Sequence, residues 1–162
     1  QYIHRIFRGD RMKAIVFSDS HGNAAYMINA IFDENPDICL FLGDGLRDLG
    51  EIRNTFPNLM VRAVCGNCDY GAMEAQRDEF LLGEKRVVMT HGHKNNVKLG
   101  YESIVNMACF SGADILLFGH THRQTAFEIN GLTVMNPGTA ERGYYGVITV
   151  AGNKVETELK SI

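Results

Sequence analysis

The chain alternates short apolar runs with amphipathic stretches. Residues 13–18 (KAIVFS) are apolar and β-branched and predict a buried strand. In 23–34 (NAAYMINAIFDE) apolar side chains recur at helical spacing and stop before Pro36, which predicts a helix. Residues 38–42 (ICLFL) predict a second strand, 46–55 a helix closed by Pro57, and 60–65 (MVRAVC) a third strand. The segment 79–90 predicts two short strands turning at Gly83-Glu84, 97–111 a helix, and 114–118 (DILLF) another buried strand. The tail, 124–158, reads as a β-meander with turns at Asn130-Gly131 and Gly152-Asn153.

Strands alternating with helices imply a largely parallel, buried sheet, and the tail implies a second, more antiparallel one. The predicted parallel-type strands end at Ser18, Leu42, Cys65, Thr90 and Phe118, and each gives way at once to polar or Gly-rich residues. Ligands of open α/β sheets bind outside the carboxyl ends of the strands, so five polar clusters should gather on one rim. No repeat, low-complexity stretch or linker interrupts the pattern, and residues 12–162 are read as one domain. Residues 1–11 (QYIHRIFRGDR) do not match the rest of the chain and lack the apolar stretch of a signal peptide. They are read as a leader, either of foreign origin or an atypical extension, and are left out of the expected fold.

Composition narrows the function. A chain of 162 residues can bury a hydrophobic core without disulfides or a structural metal. The net charge is −3, and without the leader thirteen basic face eighteen acidic residues, a charge of −5. Long nucleic acid is therefore not the expected partner, since coating it requires a basic surface. Four unpatterned Cys and no export signal place the chain in a reducing cytoplasm. No apolar run approaches the ~20 residues that span a bilayer, so no membrane partner is expected, and a homo-oligomer stays open. The six His are more informative. His21, His91, His93, His120 and His122 sit in short clusters beside Asp or Gly, and only His4 stands alone.

The clusters are Asp19-Ser20-His21, Gly43-Asp44-Gly45, Gly66-Asn67-Cys68-Asp69, His91-Gly92-His93 and Gly119-His120-Thr121-His122. Each offers oxygen or nitrogen ligands from a short turn, and Gly lets the backbone leave a strand sharply. Alone, Asp19 and His21, or Gly43-Asp44, read as polar turns. Five such clusters in order, each after a buried strand, point to metal ligation. Mixed Asp, His and Asn ligands suit Mn²⁺, Fe²⁺, Ni²⁺ or Zn²⁺ with five or six ligands better than a tetrahedral thiolate site. There are too many ligands for one ion. Two ions sharing a carboxylate can hold a bridging hydroxide and clamp a phosphate for in-line attack.

The string D-S-H, G-D, G-N-C-D, H-G-H, G-H-T-H resembles the calcineurin-like metallophosphoesterases, and more narrowly their small single-domain phosphodiesterase branch, from about Met12 onward. The resemblance implies a four-layer α/β sandwich, two mixed β-sheets flanked by helices, with the site at the sheet rim. It implies one metal held by Asp19, His21, Asp44 and His122, and another by Asp44, Asn67, His91 and His120. Asp44 would be the bridge, and a metal-bound hydroxide would attack phosphorus. The cofactors implied are two divalent ions, Mn²⁺ first and Ni²⁺, Fe²⁺, Zn²⁺ or Mg²⁺ as substitutes. The substrate implied is a small phosphodiester. Much of the family has His where this chain has Cys68, a weaker donor, so turnover should favour good leaving groups. Asp69, which would orient that His, is a candidate for catalysis or for structure.

Other residues carry weaker signals. His93 is a candidate to support the ligands or face substrate. Arg123 and Arg142 could contact phosphate or be solvated surface groups. Asn136-Pro137-Gly138 reads as a turn that could also shape the site wall. Cys65 and Cys68 form a C-x-x-C, taken as a buried Cys65 and a site-lining Cys68 rather than a redox pair. Cys39 and Cys109 lie in apolar runs and are expected in the core. No phosphate-binding G-x-x-x-x-G-K-[ST] loop or G-x-G-x-x-G fingerprint is present. The alternative to an enzyme is an interaction protein on the same fold, as in a retromer subunit that this chain also resembles.

Overall fold

The computed structural model describes residues 3–6 and 9–162. The chain runs β1 (Arg5–Ile6), β2 (Arg11–Phe17), α1 (Ala25–Glu34), β3 (Ile38–Phe41), α2 (Leu49–Thr55), β4 (Met60–Ala63), β5 (Arg77–Leu82) and β6 (Lys85–Thr90). Then follow α3 (Glu102–Phe110), β7 (Ile115–Leu117), β8 (Gln124–Ile129), β9 (Leu132–Pro137), β10 (Tyr144–Ala151) and β11 (Lys154–Ser161). Single 3-10 turns occupy Leu46–Asp48, His93–Asn95 and Ala140–Arg142.

The strands form two mixed sheets, one in the order β1-β5-β6-β7-β9-β8 and the other β11-β10-β2-β3-β4. Strand alternation sorts the apolar side chains into three layers. Met12, Ala14 and Val16 of β2 meet Val87, Met89, Ile115 and Leu117 of the other sheet in the central layer. Ile15 and Phe17 of β2 point the opposite way, onto Met27, Ala30 and Ile31 of α1 and Ile52 of α2. Val88, Leu116 and Val134 pack under Ile104, Val105 and Ala108 of α3. Two sheets face to face with helices on both outer faces make the four-layer sandwich. Burial on both faces is why the central strands read as unbroken apolar runs.

Three features differ from the sequence reading. The tail does not build a sheet of its own. β8 and β9 join β7, whereas β10 and β11 join β2 in the other sheet. Both predicted turns are present, and Asn130 (φ 50°) and Gly131 (φ 79°) supply the two positive φ values a tight hairpin needs. What divides the meander is the segment Gly138–Gly143, which crosses between sheets and fastens itself to the first loop through Ala140 N–H to Ser18 O at 2.8 Å. Second, the helix expected from 97 starts at Glu102, because Asn96 (φ 52°) and Gly100 (φ 157°) break the helical path. Third, part of the leader belongs to the sheet. β1 pairs in parallel with β5 at Ile6↔Leu82, and Ile6 is buried. Residues 1, 2, 7 and 8 of the leader lie outside the described residues.

The parallel strands β2, β3 and β4 in one sheet and β6 and β7 in the other end on a common rim. The five polar clusters begin one to three residues after those ends.

Candidate metal centre

The loops at the rim are tied to one another by backbone bonds. Asp19 N–H donates to Gly43 O at 2.9 Å, His21 N–H to Asp44 O at 3.1 Å, and Gly119 N–H to His91 O at 3.0 Å. Within this lattice Asp19, His21, Asp44, His120 and His122 all adopt positive φ, between 45° and 67°. The left-handed region costs a residue with a Cβ about 1 kcal/mol or more. Eight described non-glycine residues are held there, and these five all lie at the rim. Strain concentrated at one point, and fixed by surrounding bonds, aims five side chains at a common space.

The side chains converge as two Asp-His-His triads. The potential ligand atoms of Asp19, His21 and His122 lie within 4.8 Å of one another, as do those of Asp44, His91 and His120. His21, Asp44 and Cys68 form a further group of the same size, so Asp44 stands beside members of both triads. Asp19 is fully buried, with His122 Nε2 at 3.0 Å, His21 Nε2 at 3.7 Å and His91 Nε2 at 3.9 Å from Oδ1. That Oδ1 accepts no hydrogen bond among the described residues. Its neighbour Oδ2 takes bonds from the Ser18 hydroxyl and from His120 N–H. A buried carboxylate oxygen left unbonded among imidazoles is costly unless a cation occupies the space. The donors present, carboxylate oxygen and imidazole nitrogen, suit a divalent transition ion in each triad.

Small residues keep the space open. A Cβ on Gly66 would strike Asp44 Oδ1, and one on Gly119 would strike the Ser18 hydroxyl and Asp19 Oδ2. His91 is oriented by Leu42 O, 2.7 Å from Nδ1, which turns Nε2 towards Asp44 Oδ2 at 3.3 Å and His120 Nδ1 at 3.1 Å. A hydrogen bond of this kind fixes the ring that offers its other nitrogen to a metal.

Charges follow from the packing. Burial disfavours the charged form of His91, but Asp44 and Asp19 beside it outweigh that and raise its pKa. Burial likewise opposes ionisation of Asp44, yet His91 and the Cys68 amide, 2.7 Å from Oδ1, hold its pKa well below the usual carboxylate range. His120 is pushed down to about 4 by burial and by His91. His93 is lowered by burial and His91. Its ring lies 5.5 Å from that of His91 and 6.1 Å from that of His120, and its buried Nδ1 has no partner among the described residues. Burial and the nearby carboxylates push both the Cys65 and Cys68 thiols up, which opposes thiolate chemistry in the C-x-x-C.

The remaining candidates fall into place. Asp69 turns both carboxylate oxygens onto backbone, accepting N–H bonds from Asp44 (2.7 Å), Gly66 (2.8 Å), Gly45 (2.9 Å) and Leu46 (3.0 Å). It clamps the Asp44 loop to the Asn67 loop. Asn67 is exposed, and its amide donates to Cys68 Sγ at 3.4 Å. Cys65 is buried and Cys68 exposed beside Asp44. Cys39 is in the core, but Cys109 is exposed, because α3 buries one stripe and Cys109 lies off it. Arg123 and Arg142 are exposed.

Sequence reasoning missed two residues that hold the loops, and read a third, Asn136, only as part of a turn that could shape the site wall. Asp48 accepts from the Ser20 hydroxyl and from Gly22 N–H at 2.9 Å, fixing the turn that carries His21. Thr139 Oγ1 donates to Asp19 O at 2.8 Å. The Asn136 amide donates to Gly119 O at 2.9 Å and Thr121 Oγ1 at 3.0 Å, so the expected turn residue supports the last histidine loop. None of these stands at a distinctive spacing in the sequence.

A two-sheet sandwich with histidine and aspartate loops converging at one rim is a metallophosphoesterase arrangement. Residues 12–158 match the family model described as the calcineurin-like phosphoesterase superfamily domain, and the chain belongs to that family. It is 31% identical over 133 residues to the probable metallophosphoesterase YsnB of Bacillus subtilis, covering 79% of this chain and 75% of that protein. It is 27% identical over 159 residues to the phosphodiesterase MJ0936 of Methanocaldococcus jannaschii, covering 86% and 90%. Among solved structures, a conserved uncharacterized protein of Streptococcus pneumoniae described as a predicted phosphoesterase superposes with a TM-score of 0.80 at 23% identity, covering 93% of this chain and 90% of the other. The chain is thus a hydrolase of the metal-dependent phosphoesterase class.

Proposed function

We propose that the protein is a dimetal phosphodiesterase acting on small phosphodiesters. The observation that carries this reading is the pair of Asp-His-His triads with Asp44 beside members of both. Asp19, His21, Asp44 and His122 would hold one divalent cation. Asp44, Asn67, His91 and His120 would hold the other, with Asp44 shared. Bound there, two such cations supply Lewis acidity towards phosphoryl oxygens and lower the pKa of water. The chain's own part is to fix the geometry. Asp69, Asp48, Thr139 and Asn136 hold the loops, and the left-handed turns aim the ligands. His93, whose ring lies against those of His91 and His120, would support the ligands.

The diester preference is supported by the similarity to a protein named as a phosphodiesterase. Cys68, beside Asp44, bears on the leaving group instead. A thiol is a weak hydrogen-bond donor, so substrates that need little help at the leaving oxygen are favoured. Mn²⁺ is the first choice of metal, on the mixed oxygen and nitrogen donors. Four free cysteines accord with a reducing compartment such as the cytoplasm.

With Mn²⁺ added, the protein should hydrolyse bis(p-nitrophenyl) phosphate, and Asp44→Asn or His120→Ala should abolish turnover. Silence across Mn²⁺, Ni²⁺, Fe²⁺ and Zn²⁺, with recovery of a stoichiometric protein partner, would instead establish the scaffold alternative.

A further inference from the structure

We propose that the cleft beside the metal centre is a subsite for one arm of the substrate, a nucleotide arm that carries a second phosphate. The inference rests on the phosphodiesterase reading above. The cleft has a volume of about 730 Å³ and extends from His21, Asp44 and Cys68 to Tyr70 and Met73. That is room for a nucleotide-sized group as well as a phosphate.

Two features of the lining select the class of arm. Tyr70 and Met73 are 86% and 99% exposed, a ring and a thioether left in water next to the metal ligands. Both offer polarizable surface on which a flat base can lie. Arg47 is the one Lys or Arg of the lining, and its guanidinium has no hydrogen-bond or ion-pair partner among the described residues. The neighbouring acids do not neutralise it. Asp48 is engaged by Ser20 and Gly22, Asp69 by four amides, and Glu74 makes no ion pair with it.

The backbone that carries Arg47 is held on both sides. Its turn is fixed on one side by Leu46 N–H to Asp69 and on the other by the bonds of the Asp48 carboxylate. The same short segment carries Asp44, three residues earlier. The backbone that carries Arg47 therefore holds a set position relative to the metal centre, and its exposed, unpaired guanidinium offers a planar fork that matches phosphate oxygens bidentately. A diester with an uncharged arm would leave that fork unused.

The test compares the dinucleotide ApA with its 5′-phosphorylated form pApA, in the Mn²⁺-loaded protein. The ratio of their kcat/KM values should favour pApA about tenfold in the wild type, the scale of one charge-assisted hydrogen bond. It should fall to near one in Arg47→Gln, with Arg47→Lys between. Tyr70→Ala should weaken both dinucleotides by about tenfold or more, as loss of base stacking does. A wild-type ratio near one, or a ratio that Arg47→Gln leaves intact, would overturn the proposal. If bis(p-nitrophenyl) phosphate is turned over while that ratio is near one, only the subsite is wrong. If no diester is turned over, the phosphodiesterase reading fails. The calorimetric Kd ratio of pApA to ApA, wild type against Arg47→Gln, then decides the subsite by the same numbers.

Discussion

Asp69 offers a sharp discrimination between positioning and chemistry. Its carboxylate accepts four backbone N–H bonds, at 2.7 to 3.0 Å, from Asp44, Gly45, Leu46 and Gly66. Asp69→Asn keeps the volume but replaces one acceptor oxygen by an NH₂ that faces two N–H groups. Two charge-assisted bonds are lost, worth about 3 kcal/mol together. Asp69 is half-buried, and water can reach part of the freed surface, so the net loss should be about 2 kcal/mol. For a chain of this length that lowers Tm by roughly 6 °C. The Asp44 loop is then no longer clamped to the Asn67 loop, and Mn²⁺ affinity should fall roughly 10- to 100-fold, as for other residues that support metal ligands. Differential scanning fluorimetry, Mn²⁺ calorimetry and bis(p-nitrophenyl) phosphate kinetics measure the three quantities. Saturating Mn²⁺ should restore much of kcat. The reasoning fails if Asp69→Asn leaves Tm and Mn²⁺ affinity unchanged while kcat at saturating metal collapses, because Asp69 would then act in the chemical step.

Three further outcomes are expected from the same structure. Gly66→Ala should abolish Mn²⁺ binding, since its Cβ would strike Asp44 Oδ1 and sit 2.7 Å from Asp44 N; calorimetry showing wild-type affinity would refute the close approach. Glu34 bonds Lys13 at 2.7 Å, the Tyr145 hydroxyl at 2.9 Å and Lys160. Burial opposes its charge, but these partners hold its pKa down at about 2 against 4.5 for the free side chain. A lowered folded pKa means its stabilisation is full above about pH 4.5 and is lost as pH falls towards about 2. Glu34→Gln should therefore cost about 2 kcal/mol at neutral pH and much less near pH 2, measured by urea unfolding at both. Added Mn²⁺ should raise Tm by several degrees and EDTA should reverse it, because cations bind the folded ligand set alone; a Tm insensitive to both would count against the centre.

Much of this architecture was legible in the sequence because burial on both faces leaves an unmistakable mark. Runs such as IVF at 15–17 and ILL at 115–117 cannot be solvent-facing, and the polar residues directly after them had to lie at strand ends. The triads formed from residues that the strand ends supply one by one. What was not legible depends on long-range partners. A hairpin signal at Asn130-Gly131 names the neighbouring strand but not the sheet, so the division of the tail between β7 and β2 was hidden. A two-residue strand such as Arg5–Ile6 has no periodicity to read. Cys109 shows the limit of an apolar run, since only one stripe of a helix is buried and its phase is set by the packing of Ile104, Val105 and Ala108. The clamp made by Asp69 is invisible for a different reason. Backbone amides have no letter in the sequence, and four of them from two loops meet that carboxylate.

If the proposed function is right, diester hydrolysis needs two cations, held by triads that Asp44 joins. The most direct measurement titrates Mn²⁺ into metal-free protein, recording ions bound per chain and bis(p-nitrophenyl) phosphate turnover on the same sample. Two ions should bind and turnover should rise with the second, with Asp44→Asn losing both. Full turnover with a single ion, or turnover that a chelator leaves unchanged, would contradict it.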